Sequence, residues 1–290
     1  MFSPVDCLNP LRHGAEMIAK NPYPPLPESY KKTYPFTLAT TSFIYPDLYA
    51  PNVRMLGPFV DEIELLFFDS TYPGSLPSED HIAELARLGE AYDLTFNVHL
   101  PTDVSLTAPD RRNREAAVEN IQKVLTLAGP LQPTSSVLHL PINEESEENE
   151  WKSWLDRVRE GVTEIRSGNP NAGKIAVETL NYPLERAMPI MEEFDLSICM
   201  DIGHLLLYGF DPADFFERHA DRITIIHLHG VRDGKDHLTL THLDESQSKM
   251  IIEILSRFNG VVSLEVFSYR DLAPSLKYLA DCWKRYGENP

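Results

Sequence analysis

Between Phe36 and Phe267 the chain repeats one pattern eight times: a short apolar run, a loop, then a stretch that supports a helix. The runs are FTLATTSF from Phe36, VDEIELLFF from Val60, LTFNVHL from Leu94 and SSVLHLP from Ser135. KIAVETL from Lys174, LSICMDIG from Leu196, RITIIHLHGV from Arg222 and VVSLEVF from Val261 follow. Strictly alternating strands and helices form a parallel sheet. Eight such units close into a barrel more readily than they spread into an open sheet. No GxGxxG turn follows the first run, as a dinucleotide-binding fold would need. The expected fold is α/β, a single (β/α)₈ barrel, a domain type that runs to about 250 residues.

Several helices are legible from their apolar period. Ile82, Leu85, Leu88 and Tyr92 make one stripe, with Ser78 as a natural N-cap. Val118, Ile121, Leu125 and Ala128 make a second. Trp151, Leu155, Val158, Val162 and Ile165 make a third, and Gln247, Ile251, Ile254 and Phe258 a fourth. Residues 1–35, interrupted by Pro22, Pro24, Pro25, Pro27 and Pro35, read as a Pro-rich extension. Residues 36–290 read as one catalytic barrel domain.

Composition narrows the partners. Lys and Arg number 26 against 44 Asp and Glu, a net charge of −18. Nucleic-acid binders rely on cationic side chains to neutralise phosphates, so the expectation is a small-molecule substrate and no nucleic acid. The acidic run EESEENE, Glu144 to Glu150, reads as a solvated helix start, where negative charge suits the dipole. No apolar stretch is long enough to span a membrane, and the first residues lack the apolar core of a signal peptide. Cys7, Cys199 and Cys282 form neither a disulfide framework nor a zinc motif. Together these features suggest the cytoplasm; they leave the oligomeric state open.

A barrel strand is buried on both faces and should be nearly all apolar. Here the polar exceptions gather at C-terminal ends, the end that carries the active site in such barrels. His99 closes the third run, His139 the fourth, Glu178 the fifth, Asp201 the sixth, His227 the seventh and Glu265 the eighth. Two carboxylates about 4 Å apart repel by ~4 kcal/mol at an effective dielectric near 20. Glu178, Asp201 and Glu265 around one mouth therefore call for a cation, and few Lys or Arg stand at these strand ends. Imidazoles with carboxylates favour a divalent metal such as zinc, manganese, iron or cobalt. His204 can turn back over the mouth in the Asp201-Ile-Gly-His204 segment, or simply start a helix after a turn. His227 and His229 share one face of their strand, so one can be a ligand and the other a substrate contact. The loop after them offers Asp236 and His237, unless it is an ordinary Gly turn. Arg111, Arg112 and Arg114 stand near a helix start, where basic residues oppose the dipole. They serve either as contacts for a substrate phosphate or as surface partners of Asp110 and Glu115.

The quartet Glu178, Asp201, His227 and Glu265, in order and in register, resembles the xylose isomerase-like barrel superfamily over residues 36 to 283. That group includes sugar isomerases, ketose epimerases and endonuclease-IV-type phosphodiesterases (AP endonuclease family 2). The resemblance implies metal ligation by the quartet, with Glu178 and Glu265 also catalytic. In the isomerases and epimerases one metal and two glutamates suffice. The endonuclease-IV type adds His99, His139, His204 and an Asp/His pair, here Asp236 and His237, to a multi-zinc site. This chain departs from that pattern in having the pair adjacent, without the intervening residue. The segments YPFTLATTSFIYPD, NVRMLGPFVDEIELLFFDS and TFNVHLP are similar to the cobamide-remodelling phosphodiesterases. That similarity implies hydrolysis of the phosphoribosyl linkage in a corrinoid's nucleotide loop. A metal-dependent sugar isomerase or epimerase is the alternative, and a non-catalytic barrel that binds a metal or sugar is a second.

Overall fold

The computed structural model describes residues 23–72, 74–142, 147–168 and 174–287. The first part of the expected extension, and Glu144 to Ser146 of the acidic run, lie outside them. Eight parallel strands close a barrel: β1 (Thr37–Thr41), β2 (Glu62–Leu66), β3 (Thr95–His99), β4 (Ser136–Leu138), β5 (Ile175–Glu178), β6 (Ser197–Asp201), β7 (Ile223–Leu228) and β10 (Val261–Leu264). Closure comes from β1 pairing with β10. Between β7 and the next helix the chain inserts a small antiparallel hairpin, β8 (Gly230–Arg232) and β9 (Lys235–Leu238).

The helices that return the chain are α1 (Tyr49–Leu56), α2 (Glu79–Tyr92), α3 (Arg111–Ala128), α4 (Glu148–Gly168) and α5 (Met188–Glu193). After them come α6 (Ile202–Leu207), α7 (Pro212–His219), α8 (Glu245–Ser256) and α9 (Tyr269–Tyr286). Their starts are set chemically. Ser78 accepts from the His81 N–H while His81 reaches back, and Asp244 and Gln247 make the same reciprocal pair. Asp110 caps α3 by accepting from the Asn113 N–H. The main apolar core lies between sheet and helices, where Val53, Leu65, Leu85, Ile121, Trp154, Val162 and Leu276 are all nearly inaccessible. The chain before β1 adds to it: Leu26 and Tyr30 are buried, the Tyr30 N–H donates to the Phe59 carbonyl, and the Tyr45 hydroxyl donates to that of Pro24.

Inside the barrel the packing is different. A small apolar layer holds Ala39, Val137, Ala176, Cys199, Ile225 and Val261. Side chains alternate along a strand, so the residue two positions on faces inward again. That step leads from Val137 to His139, from Ala176 to Glu178, from Cys199 to Asp201 and from Ile225 to His227. One apolar ring thus forms the floor beneath the site.

Polar residues also lie within the strands, beyond the cluster expected at their C-terminal ends. Glu62, Glu64 and Asn97 are fully buried within β2 and β3. Glu62 accepts from Thr95 (2.5 Å), Asn97 (2.8 Å) and Thr134 (2.7 Å). Burial pushes its carboxyl up, and those three donors only partly offset this. A closed lumen is lined by alternate residues of every strand, so it can hold a polar network wherever each group finds a partner.

Candidate metal centre

Among the described residues five carboxylates are buried (Glu62, Glu64, Glu178, Asp201, Glu265) and no Lys or Arg is. Three of the five meet at the mouth with six histidines. Their side chains fall into three neighbouring groups.

In the first, His99 Nε2 and His139 Nε2 lie 3.2 and 2.9 Å from Glu178 Oε2. His99 ends β3, and His139 directly follows β4. The second group is the quartet. His227 Nδ1 lies 3.1 Å from Glu265 Oε2, 3.6 Å from Glu178 Oε2 and 4.0 Å from Asp201 Oδ2. One donor atom from each of the four falls within 4.8 Å of the others. The third group joins His204 to the inserted hairpin: His204 Nε2 and His237 Nε2 lie 3.9 and 4.0 Å from Asp236 Oδ2. Glu178 belongs to both the first group and the second.

The geometry inside the quartet suits a cation better than hydrogen bonds. Glu178 Oε1, Glu265 Oε2 and both nitrogens of His227 are buried, yet none meets a partner with hydrogen-bond alignment. The close approaches of His227 are therefore contacts of proximity. Burial opposes ionisation of Glu178, but His139 and His227 hold it well below the usual carboxylate range. Burial likewise opposes charge on His204, yet Asp201 and Glu178 push it up to about 10. Protons on imidazoles thus balance the buried carboxylates, a role that a divalent ion displacing them would take over.

The second nitrogen of several rings is anchored. His99 Nδ1 donates to the Leu100 carbonyl (3.0 Å), His204 Nδ1 to that of Thr179 (3.1 Å) and His237 Nδ1 to that of Glu265 (3.2 Å). Hydrogen bonds like those of His99, His204 and His237 fix ring orientation and tautomer in metal sites. His227 differs: its Nε2 lies 3.0 Å from Glu64 but out of hydrogen-bond alignment. Glu64 escaped the sequence reading: it stands two residues after Glu62, but that this face of the run is inward follows only from the strand register.

The adjacency of Asp236 and His237 has a structural answer. Neighbours in a regular strand point to opposite faces. His237 takes a left-handed backbone, φ 51°, and the hairpin register shifts between Gly230 and Arg232. The kink turns both side chains toward His204. A non-glycine residue held there costs about 1–3 kcal/mol.

The arginines are placed differently. Arg111 pairs with Glu115 (2.8 Å), and Arg114 donates to the Ala108 and Pro109 carbonyls and lies 3.4 Å from Glu160. Arg112 is exposed on α3. For Arg111 the surface pairing foreseen with Glu115 is what forms. Two aromatic rings absent from the sequence reading do reach the site. Phe68 stands edge-on to His99 (4.6 Å) and Phe267 lies against His237 (4.9 Å), with 6.3 Å between the two. Cys199 lies within 4.8 Å of ligand atoms of Glu178 and His227, but burial pushes its thiol well up and keeps it protonated.

Comparison with known proteins agrees with this architecture. A D-tagatose 3-epimerase-like protein superposes with a TM-score of 0.73 at 23% identity, covering 87% of this chain and 99% of that one. Endonuclease IV from Thermus thermophilus superposes with a TM-score of 0.67 at 16% identity, covering 86% and 99%. At such identities the likeness is one of fold. An inosose dehydratase from Lacticaseibacillus casei is 39% identical over 62 residues, only 19% of this chain and 21% of that protein. Residues 54–286 match the family described as xylose isomerase-like TIM barrels, and the chain belongs to that family.

Proposed function

We propose that the chain is a metal-dependent phosphodiesterase acting on a small molecule, the phosphoribosyl linkage of a cobamide nucleotide loop being the bond implied by its N-terminal strand segments. The observation that carries this reading is the sharing of Glu178 between two ligand groups, with a third group alongside. Divalent ions held there, zinc foremost, would polarise an attacking water and offset charge on phosphoryl oxygens. The protein's own part is positional. Glu178 and Glu265 hold their charge at the centre of the mouth, Asp201 and His227 complete the quartet, and Phe68 and Phe267 wall the space over His99 and His237. The net charge of −18 speaks against a nucleic-acid duplex. No helix among the described residues is long and apolar enough to cross a membrane.

A sugar isomerase or epimerase is the second reading. It is favoured by the quartet taken alone, which offers one cation site flanked by Glu178 and Glu265. The test incubates metal-loaded protein separately with a complete cobamide, an abasic duplex and a keto sugar. Release of the nucleoside fragment from the cobamide is expected. Nicking of the duplex with an intact cobamide would overturn the substrate, and interconversion of the sugar alone would establish the second reading.

A further inference from the structure

His229 stands among three potential ligands of the outer group, since His204, His229 and His237 all offer a nitrogen within 4.8 Å of one another. Its bonding differs from theirs. Its Nε2 lies 3.1 Å from Asp201 Oδ1, and its Nδ1 accepts the backbone N–H of His237 at 3.0 Å. Two N–H groups cannot face each other at that distance, so Nδ1 carries a lone pair and the proton sits on Nε2. Both ring nitrogens are thereby committed. His204 and His237 instead anchor Nδ1 on carbonyls and leave Nε2 facing Asp236.

The backbone around the ring is built for it. A Cβ on Gly203 would fall 2.0 Å from His229 Cε1, so α6 passes over the imidazole only because residue 203 is glycine. A Cβ on Gly230 would fall 2.1 Å from the Thr239 carbonyl, so the base of the hairpin closes only with glycine at 230. Gly203 belongs to the Asp201-Ile-Gly-His204 segment, and this close approach is its physical reason. The ring is fully buried, with no face left for a substrate.

We propose that His229 is a positioning residue, a neutral strut that ties Asp201 of the quartet to the kinked backbone of the hairpin and so fixes the distance between the quartet and the outer group. It is then neither a metal ligand nor a substrate contact. The link to metal rests on the reading of the site given above; the strut itself does not.

Histidine-selective ¹⁵N correlation spectra of the metal-free and zinc-titrated protein read the tautomer directly. The expected result is a neutral Nε2–H ring whose Nδ1 keeps an acceptor shift throughout the titration. A doubly protonated ring, donating from Nδ1 to the Gly230 carbonyl 3.3 Å away, would overturn the strut. So would a nitrogen that moves to a metal-bound shift. Two variants separate the arms of the strut. His229→Gln keeps a donor near Asp201 and loses the acceptor for the hairpin, so amide exchange at His237 should quicken at least tenfold with the number of bound zinc ions unchanged. His229→Asn keeps an acceptor near the hairpin and loses the donor, so exchange at His237 should stay slow while zinc affinity falls about 10–100-fold. Loss of one zinc equivalent in both variants would make His229 a ligand. If the protein binds no zinc at all, the metal reading fails while the tautomer and exchange results still decide the strut.

Discussion

Glu64 Oε1 lies 3.0 Å from His227 Nε2, and Ser263 donates to the other carboxylate oxygen at 2.5 Å. All three residues are fully buried. The strand register places Ser263 beside His227 across β10 and β7. The contact between Glu64 and His227 lacks hydrogen-bond alignment, so Glu64 acts on the His227 ring through its charge, which favours a proton on the imidazole. The negative charge behind His227 therefore comes from inside the barrel.

Glu64→Gln should keep the barrel folded and lower affinity for the quartet's metal about 10–100-fold. Isothermal titration with zinc or cobalt checks this. Affinity equal to that of the unaltered protein would mean that Glu64 fills space without acting on His227.

Glu178 serves two groups at once, so Glu178→Gln should weaken two metals together, whereas Glu265→Gln should affect the quartet alone. Elemental analysis of protein purified without chelator reads the difference. Equal losses in the two variants would remove the shared role of Glu178.

His99→Ala and His139→Ala should each lower the number of bound metals by about one, since each removes one of three donors from the first group. If both variants keep the full number and change only substrate affinity, the single-metal reading gains.

The eight strands, their polar ends and four of the helices could be read from period and position alone, because burial on both faces leaves little room for polar residues in a barrel strand. Three features could not. Glu62 and Glu64 sit in an apolar-looking run whose inward and outward positions are told apart only once the register is known. The convergence of Asp236 and His237 depends on one backbone dihedral, which side-chain identity does not encode. His227 and His229 share a face, and only the distances to Glu64, Asp201 and the His237 N–H distinguish their bonding.

A pH effect follows from Glu62. Burial raises its carboxyl above the ordinary value near 4.5, so the folded chain keeps a proton that the unfolded chain has released. Its contribution is fully present below that ordinary value and is lost as pH rises through the folded one. Glu62→Gln should remove this loss, making the variant's advantage grow from pH 4 upward and then level off. Urea titrations across pH 4–8 check this, and parallel stability curves for the two proteins would contradict it.

The hairpin of β8 and β9 hangs from the end of β7 without joining the barrel's ladder. Every strand of the barrel keeps its neighbours whether that connection is long or short. The quartet is fastened to the scaffold, while Asp236 and His237 arrive on an attachment that could be exchanged without disturbing closure. A barrel with this design can vary the acidic and imidazole groups presented beside the quartet through a single insertion and deletion site while its foundation stays the same.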